Sequence, residues 1–241
     1  MILGDIVVSD GLIQYDFGRQ FPDRFVRKND TIAGPNSEMR SFLAKMKGRR
    51  NMKTLRERTA RHLEYLRNAT EIGAIADYPG ACRDKLYEPT YRHKHQAASS
   101  CEVCSNCQTN NDPVCEAALT LDCESLQCDD SHLISRQRLA VLEDGNKSQK
   151  TNAEPIVHFG LYASGDKVMK SGEERDMIAK EEGVIAFEME GAGVWEGFPG
   201  RCLVIKAVCD YADSHKNKRW QNYAAASAAA CTKALLESWI P

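Results

Sequence analysis

The second half of the chain alternates short apolar runs with helical patterns. The apolar runs predict three strands, at Ile156–Ala163, 184–187 and 201–210. Between the first two of these strands, Ser171 and Glu174 form a capping-box pattern for a helix over 173–182, which Gly183 would end. The sequence "YAAASAAACTKALLESWI" predicts a final, alanine-rich helix. Strands and helices in this order are typical of an α/β fold built on a parallel sheet.

The first half begins with two predicted strands and continues with two predicted helices. Apolar residues predict the strands, at 6–8 and 12–18, with a turn at Asp10-Gly11 between them. The sequence "NSEMRSFLAKMKG" predicts a helix that begins at Asn36 or Ser37 and ends at Gly48. The sequence "TLRERTARHLEYLRNA" has apolar positions three to four residues apart, which predicts a second helix with a solvated basic face.

Periodicity fades between about Tyr91 and Glu154, where serine, asparagine, aspartate, glutamine and cysteine dominate. A compact domain rarely holds so long an irregular stretch unless the stretch is functional, metal-bound or without fixed structure. We therefore interpret about 97–153 as an irregular, cysteine-rich insertion within a single domain that spans 1–241.

Composition and charge narrow the classes of function. Hydrophobic residues make up 42% of the 241 residues and charged residues 27%, with a net charge of -2, as in ordinary globular proteins. This balance gives no electrostatic case for a nucleic-acid partner, and no apolar run approaches the ~20 residues of a membrane span. The N-terminus lacks the basic region of a signal peptide and reaches Asp5 early, so the cytoplasm is the expected location.

Polar, carboxylate-bearing turns follow the three strands of the second half. They are Ser164-Gly165-Asp166, Glu188-Met189-Glu190 and Asp210-Tyr211-Ala212-Asp213. Each one alone is explained as a turn or a helix cap. If the strands are parallel neighbours, however, all three turns meet at one edge of the sheet, where α/β proteins bind ligands. Carboxylates gathered there can accept hydrogen bonds from sugar hydroxyls or donate a proton to a leaving group.

These turns carry a family resemblance. The sequences "SGDKVM", "AFEMEGAG" and "VIKAVCDYAD", in this order and spacing, resemble the nucleoside phosphorylase superfamily, as does "LGDIVVSD" near the N-terminus. That superfamily includes purine nucleoside and uridine phosphorylases and methylthioadenosine/adenosylhomocysteine nucleosidases. The segments "GLIQYDFGR", "YPGACRDKLYEPTYRH" and "CDYADSHKNKRWQNYAAASAAA" resemble the version found in fungal multidomain proteins of the NLR type. The resemblance implies a three-layer α/β/α sandwich with a mixed central sheet.

The resemblance also implies roles for individual residues. The family cleaves the N-glycosidic bond between ribose and a base through an oxocarbenium-like transition state. Glu190 would accept hydrogen bonds from the ribose 2′- and 3′-hydroxyls, with Met189 lying against the sugar. Asp210 would be the general acid that protonates the purine N7. The remaining implied substrate-binding residues are Ser164, Val168, Met169 and Glu188, although helix or loop packing explains Val168 and Met169 nearly as well.

Compared with this family, the sequence begins late. Family members start with a strand and a glycine-containing loop that binds phosphate, or with the equivalent space in the nucleosidases, and that part also supplies the residue that activates water. Met1 stands shortly before Gly4-Asp5, so the resemblance implies a domain that lacks its first strands. Phosphorolysis, with phosphate as co-substrate, and hydrolysis therefore both stay open. Cys209 also replaces the serine that usually precedes the acid.

Six of the ten cysteines lie between 101 and 128. Cys101, Cys104 and Cys107 have Cys-x2-Cys-x2-Cys spacing, followed more loosely by Cys115, and such spacing suits tetrahedral zinc. A strong zinc signature has two tight pairs, and here only the first is tight. We expect a loop with reduced thiols and no cofactor, and keep structural zinc as the alternative.

Two functions of different class follow from the sequence. One is an enzyme derived from pentosyltransferases or nucleosidases that acts on a purine nucleoside or nucleotide. The other is an inactive nucleoside-sensing or interaction domain of an NLR-like protein with further domains. A homodimer is expected if the domain is whole, because family members are commonly dimers or built from dimers.

Overall fold

The computed structural model describes residues 1–28, 34–97, 101–109, 112–145 and 154–239. Its centre is a four-stranded sheet in the order β5-β4-β1-β6. The strands are β1 (Ile6–Gln14), β4 (Val157–Ser164), β5 (Val184–Glu188) and β6 (Ile205–Ala207), and a separate ribbon pairs β2 (Gly18–Gln20) with β3 (Phe25–Arg27). β1, β4 and β5 are parallel, whereas β6 runs antiparallel to β1. The predicted mixed central sheet is therefore confirmed.

β1 replaces the two strands and the turn that the sequence predicted at 6–18. The chain continues through Asp10-Gly11 as a β-bulge, where the register with β4 shifts between Ser9 and Gly11. Ser9 holds the bulge, because it exchanges backbone and hydroxyl hydrogen bonds with Val204 at 2.9 and 2.8 Å. A Cβ at Gly11 would lie 2.9 Å from the Leu161 Cδ2 methyl, so a larger residue here would require that side chain to shift. The Asp-Gly pair usually favours a hairpin turn, but here it forms a bulge within a buried strand.

Helices cover both faces of the sheet. They are α1 (Ser37–Lys47), α2 (Arg49–Asn68), α3 (Glu102–Asn106), α4 (Gln137–Gly145), α5 (Gly172–Glu182), α6 (Gly191–Gly197) and α7 (Gln221–Leu236). The predicted caps are confirmed: Asn36 accepts the Met39 N–H at 2.9 Å, and Ser171 accepts the Glu174 N–H at 3.2 Å. Gly183 ends α5 with φ +68°, a left-handed conformation that favours glycine.

The alternation of side chains along β1 separates two apolar cores. Ile6 and Val8 are fully buried against α1, α2 and α7, with Leu55 and Cys231 among the residues of this core. Val7 points to the opposite face, where it packs with Leu12, Tyr162 and Trp195 of α6. A strand buried on both faces needs a helical layer on each side, so the chain forms the three-layer α/β/α sandwich that the resemblance implied. In the part of the chain that the structure describes, no helix is long and apolar enough to cross a membrane.

Two buried aspartates connect the start of the chain to the rest of the domain. Asp5 accepts hydrogen bonds from Arg138 at 2.6 and 2.7 Å, from His158 at 3.1 Å and from two backbone amides. Burial alone would raise the pKa of Asp5, but the His158 and Arg138 hydrogen bonds outweigh it and hold that pKa below its ordinary value. Asp84 accepts hydrogen bonds from the Leu3 amide at 2.8 Å, from Arg136 at 2.7 Å and from the Tyr211 hydroxyl at 2.6 Å.

The cysteine-rich segment is more ordered than the sequence predicted. Its described residues form α3, α4 and two short 3₁₀ helices, and Cys104, Ala118 and Leu126 make a small buried core. An isolated bridge between Tyr87 and Leu133 attaches the segment to the preceding chain. We call residues 101–109 and 112–133 the cysteine-rich lobe. The predicted insertion also includes 98–100, 110–111 and 146–153, which lie outside the described residues.

Candidate functional site

Glu188, the last residue of β5, is held in place by the start of α6. Its side chain is 1% exposed, and its Oε2 accepts the N–H groups of Glu190 at 3.0 Å and Gly191 at 2.7 Å. A Cβ at Gly191 would lie 2.6 Å from Glu188 Oε1, so glycine is what lets the carboxylate approach the backbone. Glu188 therefore acts as a helix cap in this structure, which is one of the two roles that the sequence left open.

Ser164, the last residue of β4, contacts the same helix start. It is fully buried, and its Oγ accepts the Ala192 N–H at 2.9 Å. The Gly165 N–H donates to the Glu188 carbonyl at 3.3 Å, which joins the turns after β4 and β5. Ser164 and Glu188 thus fix the backbone from which Met189 and Glu190 project.

Glu190 points outward and has one strong partner. Its side chain is 68% exposed and forms a short ion pair with Lys206, whose ammonium also lies 3.5 Å from Glu188 Oε2. The hydrogen bond from Lys206 holds the pKa of Glu190 below its ordinary value. Met189 beside it is exposed. Glu190 is therefore a carboxylate kept ionised at the surface, next to a cation of the central sheet.

Asp210 lies in the loop after β6, where contacts within the loop hold its carboxylate. Its Oδ1 accepts the Ala212 N–H at 2.8 Å and lies 3.3 Å from Lys216 Nζ, while its side chain stays 24% exposed. Ala212 has φ +53°, a left-handed conformation that turns the chain back toward this carboxylate. The neighbouring Tyr211 is fixed by Asp84 and stacks its ring under Arg136.

A cavity of about 330 Å³ lies over the face of the sheet that carries Tyr162. It extends from β5 at one edge of the sheet to β6 at the other, and we call it the cavity between β5 and β6. Its lining includes Tyr162, Phe187, Lys206, Cys209, Asp210 and Ala212. Lys206 and Asp210 therefore face one space. Glu190 and Met189 are not among its lining residues, and Glu190 is connected to it by the ion pair with Lys206. A cavity of this size is at the lower end of the range for small-molecule sites.

The structure corrects the expectation that all three carboxylate turns meet at one edge. The turns after β4 and β5 do meet, but β6 is antiparallel, so Asp210 leaves the sheet beside the start of β1. Pairing with Val7 then places Lys206 between these two ends. Lys206 and Phe187 were missed from the sequence, although a single cation inside the apolar run "CLVIKAV" was a usable signal.

Val168 and Met169 lie apart from this arrangement. Val168 is exposed, while Met169 is buried against Tyr15, Ala163 and Val184. Neither is among the residues that line the cavity between β5 and β6. In this conformation their positions fit the packing explanation given above.

A second cavity, also about 330 Å³, lies between the cysteine-rich lobe and the loop after β6. Asp213 and His215 line it together with Tyr91, His93 and Lys170. Burial raises the pKa of Asp213 above its ordinary value. Burial, with a smaller contribution from His93, lowers the pKa of His215 to about 3, so this imidazole is neutral at physiological pH.

Two groups of thiols in the cysteine-rich lobe have separations that suit a metal. Cys101, Cys104 and Cys115 form one, and Cys123 and Cys128 form the other with His93; within each group the ligand atoms lie within 4.8 Å of one another. Of the four cysteines singled out in the sequence, Cys107 is outside the first group, and its Sγ lies 3.8 Å from the carbonyls of Thr109 and Asp112. All ten cysteines are free thiols.

Comparison with known proteins gives one sequence relative and several structures. No family model matches the chain. An NLR-like protein of the fungus Hyaloscypha variabilis is 31% identical over 240 residues, which are 97% of this chain but only 19% of that protein. A futalosine hydrolase mutant of Helicobacter pylori has a TM-score of 0.43 and 14% identity, and the alignment covers 99% of this chain and 63% of the hydrolase. A methylthioadenosine/adenosylhomocysteine nucleosidase of Neisseria meningitidis has a TM-score of 0.44 and 14% identity, and the alignment covers 98% of this chain and 63% of the nucleosidase.

The sequence relative is an NLR-like fungal protein, the kind of multidomain protein that the segments quoted above resemble. The chain spans about a fifth of its fungal relative and under two thirds of the solved structures.

Proposed function

We propose that this domain binds a purine nucleoside or nucleotide between β5 and β6 and cleaves its N-glycosidic bond. The observation that carries the proposal is the shared cavity: Asp210 and Lys206 line it, and Lys206 holds Glu190 beside it. An acid, a cation and a second carboxylate around one apolar-walled space form a set of groups suited to a polar, ring-containing ligand.

Ribose binding falls to Glu190 in this proposal. Its carboxylate is exposed and ionised, so it can accept hydrogen bonds from two adjacent sugar hydroxyls. Such charge-assisted bonds contribute about 1.5–3 kcal/mol each. Lys206 holds the outward-pointing Glu190 beside the cavity, and a bound sugar would replace part of that contact. The bonds assist the reaction to the extent that they strengthen as positive charge develops on the ribose ring.

Base release falls to Asp210. As the bond between C1′ and the base nitrogen breaks, its electron pair moves into the purine, and Asp210 donates a proton to N7. Water or phosphate oxygen then attacks C1′, which gives the free sugar or its 1-phosphate, and the proton that the attacking group loses passes through solvent and returns Asp210 to its acid form. Phe187, which lines the same cavity, offers a ring against which the purine can lie. General acids of this kind contribute about 10²–10⁴-fold to rate.

A nucleoside sensor without turnover is the second candidate, and one observation favours it. The sequence relative is an NLR-like protein in which the matching region is about a fifth of the length. A domain within so large a protein can serve by binding alone. Both candidates require the same cavity to hold a nucleoside, and they differ in whether the glycosidic bond breaks.

Release of free base tests the proposal. Folded protein is incubated with adenosine, inosine, methylthioadenosine, uridine and ATP, with and without phosphate, and free base is measured by chromatography. Release that requires phosphate indicates a phosphorylase, and release without phosphate indicates a nucleosidase; either must vanish in Asp210→Asn. Absence of release from protein that binds a nucleoside and unfolds cooperatively supports the sensor, and absence of both activity and binding overturns the proposal.

A further inference from the structure

His93, Cys123 and Cys128 form a cluster that the nucleoside site does not use. His93 comes from the segment before the cysteine-rich lobe, and the two cysteines flank a turn within the lobe. The His93 ring nitrogen and the two Sγ atoms all lie within 4.8 Å of one another. The first Cys-x2-Cys motif of the sequence does not contain any of these three residues, so only the fold brings them together.

The contacts of His93 distinguish its two ring nitrogens. His93 Nδ1 lies 3.1 Å from the Ala118 carbonyl, and a carbonyl can only accept, so Nδ1 carries a proton. In the neutral ring, Nε2 is the nitrogen left to bind a metal. It is buried without a hydrogen-bond partner among the described residues, and His93 as a whole is 7% exposed. An orphaned buried acceptor is costly in a protein interior, which calls for a partner at that point.

We propose that His93 Nε2, Cys123 Sγ and Cys128 Sγ bind one Zn²⁺ ion, with solvent as the fourth ligand. An imidazole that donates its other nitrogen to a backbone carbonyl is the usual arrangement of a zinc-bound histidine. Zinc bonds of about 2.0–2.3 Å place tetrahedral ligand atoms about 3.5–3.8 Å apart, and the three ligand atoms here already lie within 4.8 Å of one another. Nitrogen and thiolate sulfur in a tetrahedral set favour zinc over magnesium or calcium.

Charge balances when the ion binds. Cys123 and Cys128 each release a proton to solvent, and the two thiolates neutralise the two positive charges of Zn²⁺. His93 binds through Nε2 as a neutral imidazole, with Nδ1–H directed at the Ala118 carbonyl. The site therefore adds no net charge to a partly buried position.

The zinc site reaches the loop that carries Asp210. Cys123 Sγ lies 3.9 Å from the His215 carbonyl, and the His93 and His215 rings meet edge to face at 4.9 Å. Lys216, the next residue, contacts Asp210 at 3.3 Å. The ion would thus fix His93 and the Cys123–Cys128 turn, which are the part of the lobe that packs against the 210–216 loop.

The other thiol cluster independently supports a second ion. Cys101, Cys104 and Cys115 bring three sulfurs together, and Cys104 is fully buried. Lys94 lies against the same turn and donates to the carbonyls of Cys104 at 3.1 Å and Cys107 at 2.6 Å. Three thiolates on Zn²⁺ leave one negative charge, which this ammonium offsets. We therefore assign two zinc ions to the lobe, one for each cluster.

Metal content of the whole chain tests both sites. Protein purified under reducing conditions with zinc present is dialysed, and zinc is measured by mass spectrometry of the elements. We expect two ions per chain in the natural sequence, one in His93→Ala, one in Cys101→Ser, and two in the control Cys82→Ser, whose thiol is exposed. His93→Cys keeps a zinc ligand and should restore the second ion.

Cobalt replacement and thiol counting keep the test decisive if a variant unfolds. Co²⁺ added to the metal-free natural chain should give thiolate-to-cobalt charge-transfer absorption that zinc abolishes. Two ions in the natural chain and still two in folded His93→Ala would overturn the His93 site, and two in folded Cys101→Ser would overturn the other. Zinc-free protein with a Cys123–Cys128 disulfide, detected as missing free thiols, would overturn the proposal and identify a redox pair instead.

Discussion

The buried aspartates of the fold and the carboxylates beside the cavity differ in how completely they are paired. Asp5 has hydrogen bonds from an arginine, a histidine and two backbone amides, and Asp84 is similarly surrounded. Glu190 is paired with one lysine and is mostly exposed, while Asp210 has a lysine, the Ala212 N–H and the Cys209 thiol and is 24% exposed. Full pairing is what makes a buried charge tolerable, and incomplete pairing leaves a carboxylate able to bind something else.

Glu188 shows that location alone does not separate the two groups. It lies between Ser164 and Glu190 at the end of β5, yet it is buried and caps α6. Its Oε2 accepts two amides at the start of α6, but its Oε1 is buried without a hydrogen-bond partner among the described residues, so Glu188 is buried and yet less completely paired than Asp5 or Asp84. The four predictions below test this division, beginning with the largest expected effect.

Asp5→Ala should lower the free energy of unfolding more than any other substitution considered below. The change leaves Arg138 and two backbone amides without their buried acceptor, and breaking such a buried pair costs about 3–5 kcal/mol. Unfolding by denaturant measures the loss. Asp23→Ala, at an exposed ion pair, is the matched control and should change stability by less than about 1 kcal/mol. Equal stability of the two variants would show that Asp5 does not hold the fold.

Asp210→Asn should lower activity and leave the stability of the fold nearly unchanged. The amide keeps an oxygen for the Ala212 N–H but cannot supply the proton for the leaving base, so kcat should fall about 10²–10⁴-fold. Its free energy of unfolding should stay within about 0.5 kcal/mol of the natural chain. A kcat within a few-fold of the natural value, measured by base release, would contradict the role of Asp210.

Glu190→Gln should weaken sugar binding by a smaller amount. Loss of one charge-assisted contact of about 1.5–3 kcal/mol corresponds to about 10–100-fold in kcat/KM. Glu196→Gln, at an exposed glutamate of the adjacent helix α6, is the control and should change little. The comparison should be made with a ribonucleoside and its 2′-deoxy analogue, because the variant should discriminate between them less. Unchanged discrimination would separate Glu190 from the ribose.

The smallest effect concerns Asp213, which is buried with weaker pairing: Arg175 lies 3.6 Å from its Oδ2. Burial raises its folded-state pKa above 3.8, so the folded chain holds this proton more tightly than the unfolded chain does. Its contribution to stability is therefore fully present below pH 3.8 and declines as pH rises through the folded-state pKa. Asp213→Asn should flatten this decline when unfolding is measured across that range, and an unchanged pH slope would contradict the assignment.

Local signals predicted the helices and most strands because those signals lie in neighbouring residues. Asn36, Ser171 and Gly183 each act within one turn of their own helix, and the structure has all three in those roles. The direction of β6 was not predictable in this way, since an apolar run looks the same in parallel and antiparallel pairing. The bulge at Asp10-Gly11 likewise depends on Leu161, which lies far away along the chain.

The sequence indicated the carboxylates of the candidate site but not its cation or the proposed metal ligands. The family resemblance pointed to Glu190 and Asp210, and their roles stay predictions. Lys206 could not be assigned to the site from the sequence, because only the pairing of β6 with β1 brings it beside Glu190. His93 is likewise separated from Cys123 by a stretch with no regular spacing, and the fold of the lobe alone joins them.

Nucleoside binding to the cavity between β5 and β6 is the central claim, and calorimetric titration of Asp210→Asn tests it most directly. This variant keeps the cavity but should not consume adenosine or inosine, so binding can be measured at equilibrium. We predict saturable binding of a nucleoside, weakened about 10-fold or more when Glu190→Gln is added. No binding to the folded Asp210→Asn protein, or binding that Glu190→Gln leaves unchanged, would contradict the account.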